Sequence, residues 1–385
     1  MTTLSIAVSE SVSAELAANR RCVMQITWSL VAGGAETYAL TVASHLDKTK
    51  YRSVMCGVDQ GGALEGEISR RRIPYHILHR RDGIDVRLFW RMFRLFRSEG
   101  VDVIHTHHFN QLFYSIIAAK LLGIRIIHTE HSVEVYKQRH LRWALRLMSL
   151  MCHKVTAIGA DGESTLLRKV GIARSKLQVI RAAVDLGCFK ADVVAARQAL
   201  GLVSSDRVIS IVARLYPEKK HILLLGAFKR VLDKVPQAKL LIVGEGTERD
   251  AIMTRVADLQ LQDSVMVMGV RRDIPEILAA SDACVLCSDR EGLPISVLEA
   301  MAASRAVVAT AVGDLPLVVK DGKTGLLVES GNEAQLAEAM TKLLQDPEMA
   351  KRLGAAGRAL IEQDYSLDLM VQRHSSLYGL EVARA

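Results

Sequence analysis

The chain alternates short apolar runs with longer segments whose apolar positions recur at helical spacing. Residues 24–29, 52–58, 101–105, 125–129 and 154–158 read as short, β-branched-rich strands, each followed within a few residues by an amphipathic stretch. After Phe189 the pattern restarts, with strands at 208–213, 239–243, 265–268, 283–287 and 306–310. Near-continuous apolar strands alternating with helices predict parallel sheets covered on both faces. The restart predicts two such α/β domains, 1–188 and 189–365, with a linker near 184–191. A length of 385 residues agrees, because one core rarely serves so long a chain.

Composition adds little to that picture, and charge adds more. Half the residues are hydrophobic and 24% are charged, ordinary values for a soluble globular protein. No apolar run approaches the roughly 18 residues that span a bilayer, and residues 1–20 lack the basic start and continuous apolar stretch of a signal peptide. Six irregularly spaced cysteines suit reduced thiols in a cytoplasmic protein better than a disulfide framework. The net charge of +8 is unevenly spread: residues 1–190 hold 27 Lys and Arg against 16 Asp and Glu, and residues 191–385 hold 23 against 26. The first half is therefore expected to meet something anionic. No nucleic-acid motif is visible, which favours an anionic membrane surface. Two segments could supply the contact: 85–97, with Arg87, Arg91 and Arg94 on one stripe, and 137–151, with Arg139, Arg142 and Arg146. Core-packed helices with solvated basic faces would read the same way.

The candidate chemistry concentrates at Glu291-Gly-Leu-Pro-Ile-Ser-Val-Leu-Glu299. An apolar strand ends at Cys287, a polar turn follows, and a helix is expected to open at Pro294 and carry Glu299. Free N–H groups at such a helix start can hold a phosphate, and the two carboxylates bracket that point. A phosphate cradle flanked by hydroxyl-binding carboxylates suits a nucleotide sugar. Arg214 and Lys219 follow the strand 208–213, and fixed cations there can stabilise a departing diphosphate. The Asp-x-Asp pair common to metal-dependent routes does not occur, so no metal and no cofactor are expected. His105, His107, His108, His128 and His131 gather at two strand ends. They invite a metal-site reading, against which His105 and His107 are expected to point to opposite faces of their strand. Gly33 and Gly34, between a strand and a helix, would let backbone approach a ligand.

These motifs together resemble the retaining glycosyltransferases of GT-B fold, family 4 (glycosyl transferases group 1). The resemblance rests on the E-x7-E spacing just quoted, Gly33-Gly-Ala-Glu36, His105-Thr-His107, Thr129-Glu-His131, Arg214-Leu-Tyr-Pro-Glu-Lys219, Gly244-Glu-Gly246 and Asp321-Gly-Lys-Thr-Gly325. It implies two Rossmann-like domains facing across a cleft, the first binding acceptor and the second a UDP- or GDP-sugar, with the final helix, 366–385, packing back on the first. It assigns Glu299 to the ribose hydroxyls, Glu291 to hydroxyls of the transferred sugar, and His131 to the donor sugar near the reacting centre. Gly33, Gly34, Gly244, Glu245, Gly292, Leu293 and Pro294 would line the donor, and His107 the acceptor. The implied reaction is metal-independent transfer of a hexose-type sugar to a glycan or lipid-linked acceptor at the inner membrane face. A nucleotide-sugar epimerase or hydrolase of the same fold, or a non-catalytic sensing subunit of a polysaccharide-export complex, are the alternatives. The sequence departs from the family where Arg181-Ala-Ala replaces P-N-G after a strand expected at 178–180, and where Lys220, Ser304 and Asp314 replace glycines.

Overall fold

The computed structural model describes residues 20–131 and 138–379. Residues 1–19, Lys137 and the end of the expected last helix lie outside them. Chain contacts divide these residues into two units: one runs to Arg181 and resumes at Asp368, and the other is Ala182–Leu367.

The first unit is built on a parallel sheet of β1 (Arg21–Thr27), β2 (Tyr51–Gly57), β3 (Tyr75–Ile77), β4 (Val103–His107), β5 (Arg125–Glu130), β6 (Lys154–Ala157) and β7 (Leu177–Val179). Their order is β3-β2-β1-β4-β5-β6-β7. The central strands are buried almost throughout, because helices cover both faces. The helix Val86–Ser98 shows how the sequence sets the packing. Asp85 caps it by accepting from the Arg87 N–H at 3.1 Å, and Leu88, Met92, Leu95 and Phe96 fall on one buried face. Arg91, expected to share an exposed stripe with Arg87 and Arg94, instead turns inward. Its guanidinium pairs with Asp85 at 2.5 Å, which satisfies an otherwise buried carboxylate.

The second unit has β8 (Arg207–Val212), β9 (Ala238–Val243), β10 (Val265–Val267), β11 (Ala283–Leu286), β12 (Ala306–Thr310) and β13 (Leu326–Val328), in the parallel order β10-β9-β8-β11-β12-β13. Ile209, Ile211, Leu240, Ile242, Val285 and Val308 supply one face of its core, against Phe228 and Leu224 of the helix His221–Leu232. Both sheets are the α/β architecture expected. The expectation missed β3 and β13, three-residue edge strands too short to carry a period.

Each sheet has one topological switch point, where strand order reverses: between β1 and β4, and between β8 and β11. Open α/β sheets bind ligands outside the strand ends at such points. Arg214, Lys219 and Glu291 follow β8 and β11, Gly33 and Gly34 follow β1 and His107 ends β4, while Gly244 and Glu245 follow β9 and His131 follows β5.

Candidate active site

In the second unit, β8 runs into Arg214 and β11 into Ser288. Arg214 is exposed, with its guanidinium 4.9 Å from the centre of the Tyr216 ring. Lys219 is mostly buried, and its ammonium donates to Glu291 Oε1 at 2.5 Å. The same oxygen accepts from Ser288 Oγ at 2.6 Å. The Asp289 N–H donates to the Glu218 carbonyl at 2.9 Å, tying the two turns together. Gly313, at φ +54°, presses against the Glu291 carbonyl so closely that a Cβ would lie 1.9 Å from that oxygen. Only glycine fits, and the turn after β12 thereby fixes the Glu291 backbone.

The helix after this turn is Ile295–Ala302, with Pro294 as its extended N-cap rather than its first residue. Gly292 is exposed, and Leu293 and Pro294 are half-buried. Glu299 lies in the second turn. Burial pushes its carboxyl up to about 7, and no side-chain hydrogen bond or ion pair to it exists among the described residues. Desolvation without a partner is costly, so the carboxylate is primed for a donor. Gly244 packs its Cα against the Ala213 carbonyl, while Glu245 is exposed and pairs with Arg249 at 2.8 Å. The departures Lys220 and Ser304 both take left-handed backbone, φ +56° and +58°, which glycine adopts without strain. Lys220 gains an ion pair with Asp289 at 2.7 Å.

In the first unit, Gly33 caps the helix Gly34–His45 in extended backbone, and a Cβ on Gly34 would meet nothing within 4 Å. His105 and His107 do not point to opposite faces: their ring centres are 4.3 Å apart. Residues two apart on a strand share a face, so the expectation misapplied the strand period. The rings belong to a buried polar chain that sequence spacing did not reveal. Gln25 Nε2 donates to the Tyr378 hydroxyl at 3.1 Å, which leaves Gln25 Oε1 to accept from His107 Nε2 at 2.8 Å. His107 Nδ1 must then accept from His131 Nε2, 2.9 Å away, and His131 Nδ1 is left as an acceptor with no partner among the described residues. His107, expected to contact the acceptor, is fully buried with both nitrogens engaged, so it stands behind His131. Burial holds the His105 and His107 rings well below the usual imidazole range, and His131 at about 3. All three are neutral near pH 7. His105 bonds Tyr378 and Thr129 at 2.8 and 2.6 Å. Tyr38 joins His374, from the returning C-terminal segment, at 2.7 Å.

His108 follows this strand at φ +83° and ψ 161°, a region that L-residues other than glycine rarely enter. Its Nδ1 lies 3.1 Å from Glu130 Oε1, and His128 lies 3.5 Å from the other oxygen. Burial alone would raise the Glu130 carboxyl, but the bond from His108 and the adjacent His128 ring outweigh it and hold the group well below the usual range. Among the described residues no group of three His, Cys, Asp or Glu side chains could hold a metal ion.

Two Rossmann-like parallel-sheet units, each with polar residues gathered at its switch point, define the α/β architecture of the GT-B fold. The structure superposes on HepE of Anabaena, solved with UDP, with a TM-score of 0.81, covering 92% of this chain and 98% of that one. At 20% identity that likeness concerns the fold alone. The profile "Glycosyltransferase Family 4" matches residues 32–187, and "Glycosyl transferases group 1" matches 193–360. The D-inositol 3-phosphate glycosyltransferase of Frankia alni is 30% identical over 283 residues, 67% of this chain and 70% of the relative. The UDP-Gal:α-D-GlcNAc-diphosphoundecaprenol α-1,3-galactosyltransferase of Escherichia coli is 26% identical over 277 residues, 68% and 71% of the two chains. The chain belongs to the group 1, family 4 glycosyltransferases of GT-B fold, and its activity is glycosyl transfer.

Proposed function

We propose that the chain moves a hexose-type sugar from a UDP- or GDP-sugar to a glycan or lipid-linked acceptor, with retention of configuration and without a metal. The observation that carries this reading is the Lys219–Glu291–Ser288 cluster at the β8/β11 switch point, with unpartnered Glu299 on the next helix. Arg214 and Lys219 meet the diphosphate and stabilise the charge that builds as it leaves. The ionised Glu299 carboxylate accepts both ribose hydroxyls, a bonding pattern that compensates its desolvation. Glu291 accepts hydroxyls of the transferred sugar, and Gly292, Leu293 and Pro294 bring backbone to it. Gly244 and Glu245 border the nucleotide, and Gly33 and Gly34 the diphosphate. His131 presents Nδ1 as an acceptor to a sugar hydroxyl, and His107 fixes that orientation. The E. coli likeness supports a UDP-sugar and a lipid-diphosphate acceptor.

Incubation with a panel of UDP- and GDP-sugars tests the reading, following nucleoside diphosphate release with and without membrane extract. The expected result is release with one donor, stimulated by extract, and a product of unchanged anomeric configuration by NMR. Release independent of any acceptor indicates a hydrolase. Nucleotide binding without turnover on any donor indicates a sensor. Either overturns the proposal.

A further inference from the structure

Three helices of the first unit lie side by side on one face of its sheet: Val86–Ser98, Phe109–Leu121 and Arg139–Met151. They share one core through Leu88, Met92, Leu112, Ile116, Leu145 and Met148. Each has 13 residues, and together they contain eight Lys or Arg and no Asp or Glu. Helices ordinarily carry acids in the first turn, where the dipole favours them, and none of these three does.

The outer surface of the same layer is unusually apolar. Trp143, Leu147 and Leu150 fall at i, i+4 and i+7 and are 65%, 54% and 65% exposed. Ile117 and Leu121 form a second exposed pair, and Val86 and Trp90 a third. Single exposed apolar residues need no explanation, but a clustered set does. Beside Trp143, Arg139, Arg142, Arg146 and Lys169 line a cavity of about 190 Å³. Among the described residues no carboxylate lies within ion-pair distance of these four cations.

We infer that this helix layer is a docking face for an anionic phospholipid surface, with the arginine-lined cavity receiving a headgroup phosphate. Arginine matches phosphate oxygens, tryptophan sits at the boundary of headgroups and chains, and the leucines enter the chain region. A protein partner would be met as well by an apolar face. An apolar protein partner would not account for 39 helical residues free of acid. The inference deepens the lipid-linked acceptor reading and rests on it for its purpose, but its test does not depend on transfer.

Co-sedimentation of the full chain is measured with vesicles of phosphatidylcholine alone, and of phosphatidylcholine with equal phosphatidylglycerol. Binding is expected only to the anionic vesicles, falling as salt rises. The triple variant Arg139→Gln, Arg142→Gln, Arg146→Gln should lose about 100-fold in partitioning, since each cation contributes close to a factor of five. Tryptophan emission should shift to the blue on binding, a change that Trp90→Phe and Trp143→Phe together remove. Retained UDP binding shows that the variants are folded. Equal binding to both vesicle types, no binding to either, or full binding by the triple variant overturns the inference. So does vesicle-independent dimerisation abolished by Leu150→Ser, which would make the face an interface between copies. Diphosphate release from the donor, followed on the same samples, separates failure of this inference from failure of the transferase reading.

Discussion

Replacing Glu299 with Gln gives the sharpest test of the donor site. The carboxyl titrates at about 7 in the fold against 4.5 unperturbed, and the cause is burial alone. Because the folded value is the higher one, the contribution to stability is fully present below about pH 4.5 and is lost as pH rises through about 7. The difference between the two values corresponds to about 3 kcal/mol at the high-pH limit. Glutamine keeps the shape and does not titrate. Glu299→Gln should therefore match wild type near pH 4 and exceed its stability by up to about 3 kcal/mol near pH 8, by urea denaturation. Ribose hydroxyls donating to the ionised carboxylate should pull its pKa down on binding. Wild type should then release about half a proton more per UDP at pH 7 than Glu299→Gln, read by calorimetry in buffers of different ionisation enthalpy. The variant should bind UDP more weakly. Parallel pH–stability curves, or equal proton release, would refute the argument.

Arg214→Ala and Lys219→Ala should each reduce kcat more than donor affinity, a loss of about 2–4 kcal/mol in transition-state stabilisation; a variant within threefold of wild type leaves the assignment. A chelator should leave turnover unchanged, and loss on EDTA restored by Mn²⁺ or Zn²⁺ would revive a metal site. His108→Gly should be more stable than His108→Ala by about 1–3 kcal/mol, because both lose the bond to Glu130 while only glycine relieves the backbone; equal unfolding midpoints would remove the strain argument. Tyr378→Phe should release Gln25 and mix the tautomers of His107 and His131, visible as shifted imidazole nitrogen resonances, and unchanged resonances would deny that the chain of bonds sets them.

The long central strands were legible because burial on both faces demands continuous apolar runs, as in Ile209 and Ile211 or Val307 and Val308. The two edge strands Tyr75–Ile77 and Leu326–Val328 were not, since three residues carry no periodicity. Glu291, Glu299, Arg214 and Lys219 stood out because a strand end followed by a charged turn is a local pattern. Tyr378 and His374 could not, because they reach His105 and Tyr38 across 273 and 336 residues of chain. Gln25 reads in sequence as one more strand residue, and its role appears only once β4 lies beside β1. Gly313 was equally silent, because what it permits is a close approach to Glu291 from another loop.

The contact between Lys219 and Glu291 has a bearing on which molecules the site accepts. The ammonium and the carboxylate neutralise each other, with Ser288 completing the carboxylate's shell. A free monosaccharide would have to compete with a positive charge 2.5 Å away for the same oxygen, and its hydroxyls are poor rivals. A sugar that arrives attached to a diphosphate brings its own anion. On the proposed reading the lysine transfers its allegiance to that anion, and Glu291 is then released for the hydroxyls. On that reading this ion pair screens the site's guests: the phosphates act as the key that unlocks the sugar's own binding partner, and unactivated sugars in the surrounding medium are left outside.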